Sequence, residues 1–137
     1  MSSDSNIPLP TSHLPPPTSH IPQALAGMRV LEFAVGLVGP YATRLMALMG
    51  AQVIRVESHG ALDGFRVSRN PITQERLDIE QVPRYNYVNL NKLGVSINLR
   101  HPQGIELLKR LISVSDVLLE NFSAGVIDRR GLGYDVV

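Results

Sequence analysis

The sequence predicts an α/β fold, a Rossmann-like open and mainly parallel sheet with flanking helices, which a disordered proline-rich tail precedes. Short apolar runs with the pattern of buried strands recur along the chain, and helical patterns with apolar residues three and four positions apart separate them. A strand, a helix and a second strand fall within about 30 residues, which is typical of a βαβ unit with parallel strands. Because the alternation returns later in the chain, we expect one continuous sheet.

Residues 1–25 predict the disordered tail. They contain six of the ten prolines and a single charged residue, Asp4, and the segments PTSHLP and PTSHIP repeat seven residues apart. A proline-rich, low-complexity segment of this kind buries little apolar surface and favours extended polyproline conformations. Residues 26–137 are therefore predicted to form the folded domain, which is long enough for one modest core.

The overall composition excludes several classes of function. Thirteen Lys and Arg against twelve Asp and Glu give a net charge of +1, so no bulk field draws the chain to nucleic acid or to a membrane surface. There are no cysteines, which excludes disulfides and thiolate metal sites. The tail lacks the apolar core of a signal peptide. We expect a soluble, cytoplasmic protein that binds no metal, no nucleic acid and no membrane.

The first predicted βαβ unit covers residues 28–57. MRVLEFA has the pattern of a buried strand, and the following GLVGP places Pro40 where a first helical turn tolerates it. YATRLMALMG is predicted to be a helix that ends at Gly50. AQVIRVE is the second strand, ending at Glu57. The predicted core face of the helix consists of Ala42, Leu45, Met46 and Met49.

The second half repeats this alternation after a long irregular segment. Residues 58–86 show no period, and a loop of that length in a compact domain is usually functional or mobile. YNYVNLNKLGVSINLR predicts two short strands joined by a turn at 91–94. PQGIELLKRLISVS is predicted to be a helix, DVLLENF a strand and SAGVIDRRGLG a short helix. The predicted core positions of the longer helix are Ile105, Leu108, Leu111 and Ile112.

Residues that follow the strands are the candidates for a site, because ligands of open α/β sheets bind at the carboxyl ends of strands. Glu57 can hold a ribose in dinucleotide-binding folds, but the loop G-x-x-G-P does not match G-x-G-x-x-G. Pro40 also lacks the amide that a pyrophosphate would use. The basic residues Arg100, Arg129 and Arg130 are further candidates. Arg100 and Arg129 can each face a phosphate near the strand ends, or be solvated surface charges.

The stretch Glu120-Asn121-Phe122 ends a buried strand with polar groups that need partners. Phe122 can stack on a planar ring or fill the core, and Asn121 can contact a ligand or cap the next turn. The pattern therefore leaves two alternatives, a site for an anion with an aromatic part and an ordinary strand-to-helix corner.

His13 and His20 lie in the repeated tail without neighbouring acids, which makes a weak metal site. His59 and His101 lie about 40 residues apart, and a structural or surface role is expected for them.

Four segments resemble those of a known family, in family order: GMRVLEFAVGLVGPYAT (27–43), LMGAQVIRVE (48–57), NKLGVSINLRHPQGIELLKRL (91–111) and SDVLLENFSAGVIDRRGLGY (115–134). They are similar to those of the family III CoA-transferases, a group that includes formyl-CoA transferase and α-methylacyl-CoA racemase. The resemblance implies coenzyme A or an acyl-CoA as substrate. It also implies the residues that bind it, namely Leu37, Val38, Ile97, Arg100, Asn121, Phe122, Val126 and Arg129.

The resemblance further implies a reaction that moves CoA from an acyl-CoA donor to a carboxylic acid through an aspartyl covalent intermediate. The family's catalytic aspartate is expected beyond Val137, and neither Asp128 nor Asp135 matches it. Many relatives carry a basic residue after the glutamate at the end of the second strand, where this chain has Ser58 and His59. Family members form interlocked homodimers, so a homodimer is expected for the full-length protein.

Two other readings of the resemblance remain open at the level of sequence. One is an acyl-CoA racemase, whose acid and base would also lie beyond the chain. The other is a catalytically inactive CoA-binding or assembly module.

Overall fold

The computed structural model describes residues 23–70 and 72–137. Residues 1–22 of the tail predicted at 1–25 lie outside the described residues. Leu25, at the end of that predicted tail, packs against the apolar cluster of Val30, Ala47, Ala51 and Val53. The elements in chain order are β1 Arg29–Phe33, α1 Val38–Leu48, β2 Gln52–Glu57, α2 Pro83–Val88, β3 Leu93–Ser96, α3 Pro102–Ser113, β4 Val117–Glu120 and α4 Val126–Arg129.

The four strands form one sheet in the order β3-β2-β1-β4, and every neighbouring pair is parallel. β1 pairs with β2 on one side and β4 on the other, so the chain reverses its direction of growth across the sheet at β1. This confirms the predicted α/β class with its parallel sheet. The place where the order reverses is where open α/β sheets bind ligands.

Helices cover both faces of the sheet because successive residues of β1 point in opposite directions. On one face Val30 packs with Val53 and with Ala47 of α1. On the other face Leu31 and Phe33 pack with Leu108 of α3. The predicted core positions of α3 are confirmed, since Ile105, Leu111 and Ile112 pack against this second cluster.

The prediction of a strand for YNYVNL is wrong, because this segment forms α2. Pro83 supplies the fixed φ of a first helical turn, and Tyr85 and Val88 bury one side of the helix. In the turn that follows, Asn91 has φ +63°. Its side-chain Nδ2 donates a hydrogen bond to the carbonyl oxygen of Ala47, with 2.9 Å between the two atoms. Aromatic and β-branched residues favoured a strand locally, and burial against the rest of the fold overrode that preference.

The predicted core face of α1 is also wrong in part. Leu45 and Met49 are exposed, whereas the buried positions are Gly39, Pro40, Thr43 and Ala47. A Cβ on Gly39 would lie 2.6 Å from the Cβ of Ala34, so the helix begins too close to the sheet for larger side chains. The residues that α1 buries are therefore small ones or Pro40, and Leu45 and Leu48 face outward, whereas Met46 packs at the edge of the buried cluster as predicted.

No helix in the described part of the chain is long and apolar enough to cross a membrane.

Candidate functional site

A pocket of about 200 Å³ lies at the carboxyl edge of the sheet, beside the point where the strand order reverses. Residues that follow β1, β2 and β4 form its walls, and the loop at 58–63 closes one side. Its lining residues are Phe33, Ala34, Val35, Arg55, Val56, Glu57, Ser58, Gly60, Ala61, Asp63, Leu99, Arg100, Phe122 and Arg130.

The pocket combines an aromatic wall with three arginines, of which Arg55 is paired with carboxylates. Phe122 meets Phe33 edge to face, with 4.7 Å between the ring centroids, and this packing fixes the orientation of both rings. Arg100 lies against the loop, its guanidinium carbon 3.9 Å from where a Cβ on Gly60 would be. Arg130 also lines the pocket. Among the described residues neither Arg100 nor Arg130 has an ion-pair partner, so both cations are available to an anionic ligand.

Asn121 uses its side chain to hold the loop between β1 and α1. Its Oδ1 accepts from the backbone N–H of Val35 at 2.9 Å, and its Nδ2 donates to the carbonyl of Val35 at 2.8 Å. Both ends of the amide are therefore committed within the protein. The sequence allowed Asn121 to cap the next turn. In the structure its side chain instead connects the end of β4 to the end of β1 through Val35.

The remaining predicted site residues lie in different surroundings. Leu37 and Val38 are exposed where α1 begins, next to the loop that Asn121 holds. Ile97 is buried in the cluster under α3. Val126 is half-buried on α4, and Arg129 is exposed, with its guanidinium 3.0 Å from a Cβ position on Gly125. The structure thus brings Arg100 and Phe122 together in the pocket, and it places Arg130 there, not Arg129.

Sequence reasoning missed a buried charge network beneath the pocket. Glu32 and Arg55 are neighbours in the β1–β2 register and form an ion pair with both side chains almost fully buried. Arg55 also binds Asp63 at 2.5 Å. Lys92 donates to Glu32 at 2.6 Å, and Thr43 of α1 donates to the same carboxylate at 2.5 Å. The signal was present, because Glu32 and Arg55 each stand between apolar residues inside a predicted buried strand.

The network shifts the pKa values of its cations in opposite directions. Burial lowers the pKa of Lys92, and the attraction of Glu32 only partly offsets this effect. Burial also acts to lower the pKa of Arg55, but Glu32 and other neighbouring groups outweigh it and raise the value. Arg55 is therefore a permanent buried cation, and for Lys92 the contact with Glu32 favours the charged form against the effect of burial.

A second charged group joins the end of β2 to the long loop and α2. Arg66 donates to both oxygens of Glu57, at 2.9 and 2.7 Å, and stacks 3.7 Å from the ring centroid of Tyr85. Burial would raise the pKa of Glu57, but hydrogen bonds from Arg66 and Tyr85 lower it below its ordinary value. Burial, followed by the contact with Glu57, raises the pKa of Tyr85 to about 12. Glu57 is thus a structural anchor for the loop.

The arrangement of side chains in the pocket suits the binding of a ligand. Its two carboxylates, Glu57 and Asp63, are held by Arg66 and Arg55. No cluster of three or more potential metal ligands occurs within residues 23–70 and 72–137. An aromatic wall beside two unpaired guanidinium groups suits a ligand that carries a planar ring and phosphate groups.

The family model of CoA-transferase family III matches residues 25–137. The chain belongs to this family. The match covers β1 through α4 and so includes the whole sheet and the pocket.

Curated relatives include the succinyl-CoA:glutarate CoA-transferase of Homo sapiens, which is 35% identical over 111 residues. They also include a formyl-CoA:oxalate CoA-transferase of Rhodopseudomonas palustris, which is 39% identical over 118 residues. The matches cover 81% and 84% of this chain but 24% and 26% of the two relatives. The chain thus spans about a quarter of the length of these family members.

Solved structures agree with the fold. A CAIB/BAIF family protein from Brucella suis superimposes with a TM-score of 0.70 at 32% identity, over 83% of this chain and 30% of that one. A protein from Mycobacterium tuberculosis gives a TM-score of 0.71 at 30% identity, over 82% of this chain and 29% of that one.

Proposed function

We propose that this chain forms the CoA-binding part of an enzyme that transfers CoA from an acyl-CoA donor to a carboxylic acid acceptor. The observation that carries the proposal is the pocket at the strand ends, where Phe122 lies with the unpaired Arg100 and Arg130. The adenine ring of CoA suits the aromatic wall, and its phosphates suit the guanidinium groups. The names of the curated relatives, all of them CoA-transferases in the comparisons above, support transfer over racemisation.

In the proposed reaction an aspartate attacks the thioester carbonyl of the donor acyl-CoA, and CoA leaves as a thiolate. The donor acyl group is then held as a mixed anhydride with the aspartate. The acceptor carboxylate attacks the aspartyl carbonyl and the donor carboxylate leaves. The CoA thiolate then attacks the acceptor carbonyl of the new anhydride, which forms the acceptor thioester and frees the aspartate. We place the aspartate C-terminal to Val137, as the family resemblance implies. Within the pocket, Asp63 is engaged in hydrogen bonds to Gly36, Arg55 and Phe65. The residues of this chain would bind the nucleotide and orient the thioester. A homodimer and a cytoplasmic location belong to the same proposal.

Calorimetric titration of the chain with CoA tests the binding role. We expect Arg100→Ala and Arg130→Ala each to weaken binding about tenfold, the effect of losing one charge-assisted hydrogen bond to a phosphate. Arg110→Ala is the matched control, because Arg110 lies in the last turn of α3 and outside the lining of the pocket. Arg129→Ala shows whether the arginine implied by the family resemblance contributes as well.

The outcomes separate the alternatives. Weakening in the two pocket variants but not in the Arg110 variant supports the nucleotide site. Weakening by Arg129→Ala alone would move the phosphate contacts to the outer side of α4. A folded chain that binds no CoA would contradict the proposal and leave the segment 120–125 as a strand-to-helix corner.

A further inference from the structure

The loop between β1 and α1 is held from two sides. Asn121, from the end of β4, binds both backbone polar atoms of Val35. From the side of β2, Oδ2 of Asp63 accepts from the N–H of Gly36 at 3.0 Å. Gly36 has φ +72°, a left-handed conformation that other residues rarely adopt. Two consecutive peptide groups of this loop are therefore fixed by side chains that come from opposite neighbours of β1.

Asp63 is itself held rigidly. It is 4% exposed, and the same Oδ2 that binds Gly36 also accepts from Arg55 at 2.5 Å. Its other oxygen accepts from the N–H of Phe65 at 2.8 Å. Arg55 in turn is paired with Glu32 inside the sheet. A chain of buried charges thus connects the middle of the sheet to the N–H of Gly36.

The loop leads directly into the exposed start of α1 at Leu37 and Val38, and Val35 lines the pocket. A change in the position of Gly36 would move both the pocket wall and these two residues. Both carboxylate oxygens of Asp63 accept hydrogen bonds from Gly36, Arg55 and Phe65, and the residue is buried. This arrangement suits a residue that supports the loop.

We propose that Asp63 is a positioning residue, which fixes the β1–α1 loop in the shape that forms the wall of the pocket for the bound CoA. It acts through its hydrogen bond to the N–H of Gly36, while Asn121 binds Val35 from the other side of the loop. This inference rests on the proposed function, since it assigns a purpose to the loop in CoA binding. It adds a residue in the long irregular segment after β2 to the binding machinery.

Two measurements on the chain test the proposal. Residue-resolved amide hydrogen exchange reports the hold on Gly36 without any ligand, and calorimetry with CoA reports its consequence. For Asp63→Ala we expect faster exchange at Gly36 and an increase of about tenfold in the Kd for CoA. For Asp63→Asn we expect protection of Gly36 and a Kd within about threefold of the wild type, because the amide oxygen can still accept from that N–H.

Asp116→Ala is the matched control. The Asp116 carboxylate accepts from the backbone N–H of Arg29 at 2.7 Å, an equivalent contact at the opposite edge of the sheet. Its removal is expected to cost stability and to leave the exchange of Gly36 and the Kd for CoA unchanged. If Asp63→Ala does not fold, as judged by circular dichroism, Asp63→Asn together with Asn121→Asp carries the comparison. The latter keeps the acceptor for Val35 N–H but loses the donor to its carbonyl, so a raised Kd is expected for it alone.

If amide exchange at Gly36 is unchanged in Asp63→Ala, the proposal that Asp63 fixes the β1–α1 loop is wrong. Faster exchange with an unchanged Kd would overturn its role in CoA binding. If the wild-type chain binds no CoA, the proposed function fails, while the exchange result at Gly36 still decides whether Asp63 holds the loop.

Discussion

At the scale of single residues, the least expected feature is Glu32, a fully buried carboxylate that accepts hydrogen bonds from two cations and a hydroxyl group. Arg55, Lys92 and Thr43 all bind it, so its charge is compensated more than once. Removing one partner of a buried ion pair is costly because it leaves the other charge buried and uncompensated. The partners of Glu32 are therefore not equivalent. Arg55 also pairs with Asp63, whereas the ion pair of Lys92 is with Glu32.

We expect Glu32→Gln to lower the free energy of unfolding by about 3–5 kcal/mol, because it leaves Arg55 and Lys92 buried beside a neutral amide. Lys92→Met should cost less, about 2 kcal/mol or below, because Glu32 keeps Arg55 and burial already disfavours the ammonium, as its lowered pKa indicates. Urea unfolding at neutral pH measures both. Equal or reversed costs would show that Lys92, not Arg55, is the main partner of Glu32.

Glu57 is expected to make stability depend on pH. The pKa of Glu57 is lowered in the folded chain, so its contribution is complete above its ordinary value of 4.5 and is lost as the pH falls through the folded value. Glu57→Gln should therefore lower the free energy of unfolding at pH 7, and its difference from wild type should shrink on acidification. Urea unfolding between pH 7 and pH 3 measures this difference.

The matched control for this titration is Glu106→Gln. Glu106 is 69% exposed on α3 and makes only a surface ion pair with Lys109. We expect its difference from wild type to stay small across the same pH range. A difference for Glu57→Gln that does not change with pH would assign the acid dependence to another carboxylate.

At the scale of elements, the start of α1 sits unusually close to the sheet. A Cβ on Gly39 would meet Ala34 at 2.6 Å, and it would lie 3.2 Å from atoms of Leu119 and Asn121. The contact joins α1 to the ends of both β1 and β4, which form the pocket. Close approach at this one position therefore couples the helix to the site.

We expect Gly39→Ala to lower the free energy of unfolding by about 1–3 kcal/mol, because the added methyl group overpacks this contact. Gly64→Ala is the control, since nothing lies within 4 Å of its Cβ position, and it should change stability by less than about 0.5 kcal/mol. Thermal unfolding of both variants tests the comparison. A neutral Gly39→Ala would mean that α1 can move away from the sheet without cost.

At the scale of the whole molecule, the outer face of α1 exposes a row of large apolar side chains. Val38, Tyr41, Leu45 and Leu48 are between 38% and 76% exposed on this helix. Contiguous apolar surface of this kind usually marks a contact with another protein surface. The edge strands β3 and β4 add unpaired backbone groups on both sides of the sheet.

We therefore expect the 137-residue chain to self-associate at micromolar concentrations, with a sedimentation coefficient that rises with concentration. A Leu45→Lys, Leu48→Lys double variant should reduce the association, because it places two charges on the outer face of α1 without touching its buried positions. Leu107→Lys is a control on α3, where the side chain is 44% exposed on another face. A concentration-independent monomer would contradict the prediction.

The parallel α/β sheet could be predicted from the sequence, because buried strands and amphipathic helices carry their periodicity in the order of residues. The rule that ligands bind at the carboxyl ends of strands predicts a site at this edge of the sheet, and Arg100 and Phe122, two of the predicted site residues, line the pocket there. That this pocket binds CoA stays a proposal. Helix α3 illustrates how the fold could be predicted. Its core positions recur at regular spacing, so the sequence pattern alone indicates which face of the helix is buried.

Contacts between distant segments could not be predicted in this way. The buried face of α1 depends on how closely Gly39 approaches the sheet, and α2 formed against a local preference for strand. The roles of Asn121 and Asp63 depend on partners 86 and 27 residues away. By itself the sequence determined the fold class, the strand ends that form the site and the family. Only the tertiary structure decided which charges pair inside the sheet and which arginine reaches the pocket, because desolvation and side-chain geometry exist only once those segments meet.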